Sequence, residues 1–379
     1  MKITSIETLI ASSQNNNIVF VRTHTDAGMH GVGEAYRVGP DTAVAPWVDY
    51  FADQLVGRDP TEIERNWALM YQGARFPLGS TGMAALSAIE HTMWDIAGKA
   101  AGLPVYRLLG GEVRDRIRAY HGIHGNSADE LAEAGKARVR QGFTALKTSP
   151  VPPNWRDLTW NSALDEGRRR FEALRKAVGD SIDIGFDAHA AVWEPARAVE
   201  LADALAPMGI WFMEEPLRME NRHEMGRLRE KLPCPLATGE CLYTKFELGE
   251  LIREKAVDIL QPDVCIVGGL LEMRKIAFMA EAHDLTVAPH NPMGPLATTI
   301  NLHFDAATTN FHVQEYRTAT EAEAATVTAA PVPSDGYFAL PEGPGWGIDI
   351  VDSEIAARPY EQPRHRGDRV YPDGSIAYI

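Results

Sequence analysis

Six ionisable side chains recur at near-constant intervals through the second half of the chain. Asp187, Glu214, Glu240, Asp263, His290 and Glu315 stand 27, 26, 23, 27 and 25 residues apart, and Lys147 precedes them. Taken singly, each acid reads as an ordinary surface carboxylate. In phase, Asp187, Glu214 and Glu240 would converge and repel one another unless a hard cation sat between them. Oxygen-only ligands favour Mg²⁺, which keeps positions open for water or an oxyanion. Asp263 and His290 would be lateral neighbours, so the carboxylate can bind one ring nitrogen and leave the other as a base. His290 lies in a stiff Pro289-His290-Asn291-Pro292 turn. His189, two residues after Asp187, could donate a proton as easily as accept one, provided the extended alternation continues past the strand. Lys147 could neutralise a substrate carboxylate or act as a base.

The elements that must position these groups follow from the interval. Each group follows a short β-branched or apolar run: residues 142–146, 181–186, 210–213, 235–239, 257–262, 285–289 and 311–314. A strand of about five residues, a helix of about twelve and two short loops fill one interval, which is one βα unit of a parallel sheet. With a first strand near 117–121, eight such units close a barrel whose strand C-termini carry chemistry. The excess between Lys147 and Asp187 falls in 149–161, where Pro150, Pro152, Pro153, Trp155 and Trp160 mark a loop over the barrel mouth. Ahead of the barrel, residues 3–10 and 17–23 read as strands and 25–34 as a Gly-rich turn. Residues 81–101 read as a helix carrying Met83, Leu86, Ile89, Met93 and Ile96 at helical spacing, stopped by Gly102. The Pro-rich tail from Gly336 is expected to pack extended, against the N-terminal unit.

Composition narrows the function classes. A chain of 379 residues suits two domains or one large barrel with additions. Lys and Arg number 37 against 52 Asp and Glu, a net −15 that disfavours nucleic acid and anionic membranes as partners. Glu7 interrupts the start before any signal-type run, and no stretch reaches the roughly 18–20 apolar residues of a membrane span, so a cytoplasmic protein is expected. Cys234, Cys241 and Cys265 lack metal or disulfide spacing and read as buried free thiols.

Several motifs then coincide: Asp187-Ala188-His189, Glu214-Glu215-Pro216-Leu217, Ala237-Thr238-Gly239-Glu240, Gln261-Pro262-Asp263 with Gly268-Gly269-Leu270, and 288–295 around His290. Gly31-Val32-Gly33-Glu34 and Gly343-Pro344-Gly345-Trp346-Gly347 extend the pattern to both ends. The chain resembles the mandelate racemase/muconate lactonizing enzyme branch of the enolase superfamily, and within it the acid-sugar dehydratases of galactonate dehydratase type. The resemblance implies an α/β fold, a modified (β/α)₈ TIM barrel (114–335), under an α+β cap built from residues 1–113 and the returning segment 336–379. It also implies a homo-oligomer acting on a small sugar acid. Asp187, Glu214 and Glu240 would hold one Mg²⁺. His290, oriented by Asp263, would take the proton α to the substrate carboxylate, and the ion would stabilise the resulting charge. His189 would protonate the departing 3-hydroxyl, Glu315 would hydrogen-bond a carboxylate oxygen, and the product would be a 2-keto-3-deoxy acid. Asn291 and Trp346, within the shared motifs, are expected to touch substrate. The turn holding His24, with Arg75 and Phe76, is expected to select the sugar.

One departure bears on the reaction. Many racemases and epimerases of this branch carry Lys-x-Lys at the second strand, whereas Lys147 and Ser149 stand here. A symmetric two-base racemase or epimerase is therefore disfavoured, and proton abstraction from one face remains. Cycloisomerases of anhydro-sugar acids or aldarolactones share the motifs and are the alternative reading, with Lys147 as acid or base. A non-catalytic scaffold would have lost a ligand or the base, and neither is missing.

Overall fold

The computed structural model describes residues 1–13, 16–192, 194–363 and 369–377. Three antiparallel strands open the chain: β1 (Ile3–Ser13), β2 (Asn16–Thr25) and β3 (His30–Ala35). Three helices follow, α1 (Val44–Leu55), α2 (Ile63–Gln72) and α3 (Gly79–Ala101). The expected Gly-rich turn is thus shorter than 25–34, and its second half is a strand. The cause is close approach: a Cβ at Gly31 or Gly33 would fall 2.1 Å from a backbone carbonyl of α3, at Thr92 and Ala88 respectively. Only glycine lets β3 press onto this helix. Met83, Leu86, Ile89, Met93 and Ile96 are all buried, at roughly 1.5–3 kcal/mol of stabilisation each relative to exposure.

The remaining strands are β4 (Arg116–Gly122), β5 (Ala145–Thr148), β6 (Asp183–Asp187), β7 (Met213–Glu214), β8 (Leu236–Thr238), β9 (Ile259–Leu260), β10 (Thr286–Val287), β11 (Gln314–Tyr316) and β12 (Tyr337–Ala339). From β4 to β11 they pair in parallel, in the order β10-β9-β8-β7-β6-β5-β4-β11. A parallel bridge between Val287 and Phe311, with the His312 amide donating to the Val287 carbonyl, joins the two ends of that order. The eight expected units are present as one TIM-type barrel. Its interior holds Tyr120, Ala145, Phe212, Ala237, Ile259, Ala288 and Val313, one from each unit but the third, where Gly185 faces the Phe212 ring. Two large rings against small partners fill the space, so the barrel is a packed core and not a pore.

Before the chain turns back, β12 pairs antiparallel with the start of β4. The tail then crosses to the N-terminal unit. The Trp346 indole donates to the Val32 carbonyl, Ser12 donates to the Arg358 carbonyl and Asn17 to that of Glu361. Residues 364–368 and 378–379 of the tail lie outside the described residues. No described helix is long and apolar enough to cross a membrane. The three cysteines are free; Cys265 is buried as expected, whereas Cys241 is exposed and Cys234 intermediate.

Candidate active site

Strand alternation aims the chemistry. Two residues beyond the inward layer of Ala145, Gly185, Phe212, Ala288 and Val313 stand Lys147, Asp187, Glu214, His290 and Glu315, so the two-residue period carries each into the barrel mouth. Gln261 and Asp263 follow Ile259 in the same phase. Glu240 is out of phase with Ala237, and Gly239 at φ 133° supplies the turn that brings it in. The strands are shorter than the sequence runs. β9 and β10 stop before Pro262 and Pro289, which have no amide to extend a ladder, so Asp263 and His290 stand on loops just past the strand ends.

Asp187, Glu214 and Glu240 each offer an oxygen within 4.8 Å of the others, the one such acid cluster among the described residues. One Glu240 carboxylate oxygen is buried without a hydrogen-bond partner. Lys147 Nζ lies 3.1 Å from Asp187, 2.5 Å from Glu214 and 2.9 Å from Glu315. Three acids draw the ammonium in, and the Glu240 oxygen that faces His290 Nε2 at 3.6 Å makes no hydrogen bond. The donor set fits a hard divalent cation. Burial and then the Asp187 charge push the Glu214 carboxyl well above its usual range, and burial also raises Glu240. Burial opposes ionisation of Asp187 too, but Lys147 and His189 outweigh it and hold the carboxyl at about 2. Gln261, overlooked in the sequence as a functional residue, donates to Glu214 at 2.7 Å; its phase with Ile259 was the available signal.

His290 Nδ1 lies 2.9 Å from Asp263, while Nε2 is 3.6 Å from Glu240. Asp263 also accepts from the Cys265 amide. Burial would lower the imidazole, but Glu240, the Asp263 hydrogen bond and Glu315 push it up to about 10. His189 leaves the strand in the left-handed region (φ 47°), so extended alternation does not place it; instead its Nδ1 turns back to within 3.1 Å of Asp187. Its ring is 63% exposed and therefore free to meet a ligand.

A cavity of about 660 Å³ brings Lys147, Asp187, His189, His290, Asn291 and Glu315 together, with His121, His124 and Arg138 on its far wall. The loop after β5 borders an adjoining recess, where Ser149, Val151, Pro152, Pro153 and Trp155 line a wall shared with His189. Asn291 faces the cavity, but its side-chain amide donates to Thr298 and to the Glu315 carbonyl, and its backbone amide to the Glu315 carboxylate. It therefore orders Glu315. Trp346 and His24 are not brought to the site. Trp346 is fully buried in the seam between N-terminal unit and barrel, and His24 pairs with Glu7 on the outer sheet at 2.9 Å. Arg75 stacks on an exposed Phe76, and neither lines the cavity. The N-terminal unit does send Tyr36 toward His290, with ring centroids 6.3 Å apart.

Residues 1–110 match the mandelate racemase / muconate lactonizing enzyme N-terminal domain, and residues 129–354 match the enolase C-terminal domain-like family. A D-galactonate dehydratase from Verminephrobacter eiseniae is 34% identical over 367 residues, covering 95% of this chain and 96% of that protein. An enolase from Agrobacterium radiobacter, described as a candidate galactarate dehydratase and solved with sodium and L-malate, is 41% identical. It covers both chains fully, with a TM-score of 0.95. An enolase from Pantoea ananatis with bound D-gluconate and magnesium is 28% identical over 99% of both chains, with a TM-score of 0.91.

Proposed function

This chain belongs to the mandelate racemase/muconate lactonizing enzyme family of the enolase superfamily, and we propose that it is a Mg²⁺-dependent acid-sugar dehydratase. The observation that carries the reading is one cavity lined by His290, Asp187 and His189, with Asp263 behind His290 and Glu214 and Glu240 clustered with Asp187. The relatives named for galactonate dehydration, and the neighbours holding malate or gluconate with a metal ion, support a small hydroxy acid as substrate. The cavity lies within the usual ligand range of roughly 300–1,000 Å³.

Asp187, Glu214 and Glu240 would hold the Mg²⁺, which when bound would stabilise charge on the substrate carboxylate and offset the Glu240 charge that raises His290. Asp263 keeps the Nδ1 proton of His290 in place, so Nε2 faces the substrate and takes the proton from the carbon next to the carboxylate. Lys147 would bind the carboxylate oxygens, and Glu315 would hydrogen-bond one of them in its protonated form. The electron pair left by the C–H bond moves toward the carboxylate and returns to expel the 3-hydroxyl. His189 donates the proton with which that group leaves as water. The enol so formed takes up a proton and becomes a 2-keto-3-deoxy acid. Lys147, encircled by Asp187, Glu214 and Glu315, is held above its ordinary value although burial alone would lower it. Ser149, standing where many racemases of the family carry a second lysine, leaves no symmetric partner base, which favours elimination over racemisation. On family likeness, the same reading makes the enzyme a cytoplasmic homo-oligomer.

The test is a panel of six-carbon mono- and diacid sugars, with D-galactonate, D-gluconate and galactarate included, incubated with enzyme and Mg²⁺. A colour assay for 2-keto acids and NMR of the product report the outcome. A 2-keto-3-deoxy acid is expected. A product isomeric with its substrate and lacking a keto group would replace dehydration by cyclisation, and no turnover of any acid would sink both readings.

A further inference from the structure

One buried and one half-buried group of the N-terminal unit, Glu34 and Arg37, reach the loop that carries the base. Glu34, at the end of β3, is fully buried. Its carboxylate accepts from the Gly294 amide at 2.6 Å and the Ala297 amide at 2.9 Å. These amides open the twelve-residue helix Pro295–Ala306, which starts five residues after His290. Arg37, three residues on, donates to the Pro292 carbonyl at 2.9 Å, and Arg317 of the barrel donates to the same oxygen at 2.6 Å. With the Asn291 amide on Glu315 and the His290 amide on the Pro262 carbonyl, most of the turn from His290 to Gly294 is tied down. The fit is tight: a Cβ at Gly294 would lie 2.6 Å from one Glu34 oxygen and 2.8 Å from the other.

Among the described residues no other group accepts from these two amides, and Glu34 does not line the cavity. A buried carboxylate capping a helix this close to a base fixes the backbone from which the imidazole projects. Displacement of a base by a fraction of an ångström lowers the rate of proton abstraction without removing any group that binds substrate.

We propose that Glu34 and Arg37 are positioning residues for the His290 base, through which the N-terminal unit sets the distance and angle of proton abstraction. The proposal rests on the reading of His290 as base. It explains why the Gly-Val-Gly-Glu motif places two close-packed glycines ahead of a buried acid: β3 must lie against α3 for Glu34 to reach Gly294.

The test compares wild type with Glu34→Gln, Glu34→Ala and Arg37→Gln, with D-galactonate and galactarate as probes. Glu34→Ala should lower kcat by about 10- to 100-fold with KM changed by less than about 3-fold. Glu34→Gln, which keeps one acceptor oxygen, should recover part of the loss. Amide hydrogen exchange over 290–297 should accelerate in step with the loss of kcat, while exchange over 236–240 stays as in wild type. If Glu34→Ala does not fold, Arg37→Gln carries the test, with a fall in kcat of about 3- to 10-fold at constant KM. Unchanged kcat with accelerated exchange over 290–297 would overturn the proposal, as would a loss carried by KM. If neither probe is turned over, the substrate assignment fails, and the exchange pattern still decides whether Glu34 holds the turn.

Discussion

The barrel mouth has two halves built on opposite plans. On the half that carries the acid triad, formed by the ends of β6, β7 and β8, the backbone is strained: His189, Ala190 and Glu215 all adopt positive φ without being glycine. Such residues cost on the order of 1–3 kcal/mol each. They are held within the barrel, by the Ala190 amide on the Glu215 carbonyl and by Glu215 accepting from Thr238 and Gly239. On the half that carries His290 and Asp263, formed by the loops after β9 and β10, the barrel's own ties from Arg317, Glu315 and Pro262 are joined by support from outside the barrel. Glu34 caps the helix after His290, Glu90 of α3 caps the helix Leu270–Glu281 after Asp263, and His91 meets the Val264 carbonyl. The difference teaches a division of labour. Ligands for a cation adjust to one another around a shared charge, so local strain suffices. A base must keep its distance to a carbon atom it never binds, and a second unit holds it.

The largest effects should separate the halves by chemistry. His290→Asn should lower turnover by about 10²–10⁴-fold or more and abolish exchange of the substrate α-proton with D₂O. Exchange retained at the wild-type rate would identify Lys147 or another group as the base. His189→Asn should depress turnover more than exchange, since it acts after the proton has left, and equal losses in both would remove its acid role.

Metal affinity should respond only to the other half. Glu240→Gln should weaken Mg²⁺ binding, measured by calorimetry, by about 10- to 100-fold, because a carboxylate charge leaves the ligand set. His290→Asn should change the affinity far less. Equal Mg²⁺ binding by wild type and Glu240→Gln would break the comparison at its first premise.

How much of this was legible in the sequence follows the same division. The regular interval gave the strand ends, and with them Asp187, Glu214, Asp263, His290 and Glu315, while Lys147 came from the apolar run it ends, because strand period and barrel repeat are one-dimensional facts. Glu240 was legible by interval yet off-phase by strand period, and only the Gly239 turn reconciles the two. The outer support was not legible. Glu34 and Gly294 are 260 residues apart, and nothing local marks an acid as the cap of a distant helix. Trp346 was misplaced for the same reason: a motif tryptophan suggests a ligand wall, whereas its indole fills the seam between units. Tyr36 went unnoticed because it follows β3, where the sequence showed only a turn.

The smallest predicted effect concerns how the outer acids are held. Burial raises Glu34 to about 7 and Glu90 to about 8, despite the amides each accepts from. A carboxyl raised in the folded state binds its proton more tightly there than when unfolded. Its contribution to stability is therefore greatest below its ordinary value of 4.5 and is lost as pH rises toward 8, at on the order of 1.4 kcal/mol per unit. Gln at position 90 cannot ionise. In Glu90→Gln, Nε2 opposes the Leu270 amide, so at pH 5 the variant should be less stable than wild type by about 1–3 kcal/mol. As pH rises to 9 the wild type bears the cost of ionising a buried acid and the variant does not, so the gap should close or reverse. Chemical denaturation of both proteins at pH 5, 7 and 9, with magnesium held constant, reads the gap directly. A gap independent of pH would show that Glu90 ionises in the fold as easily as in the unfolded chain, and burial would then not govern this cap.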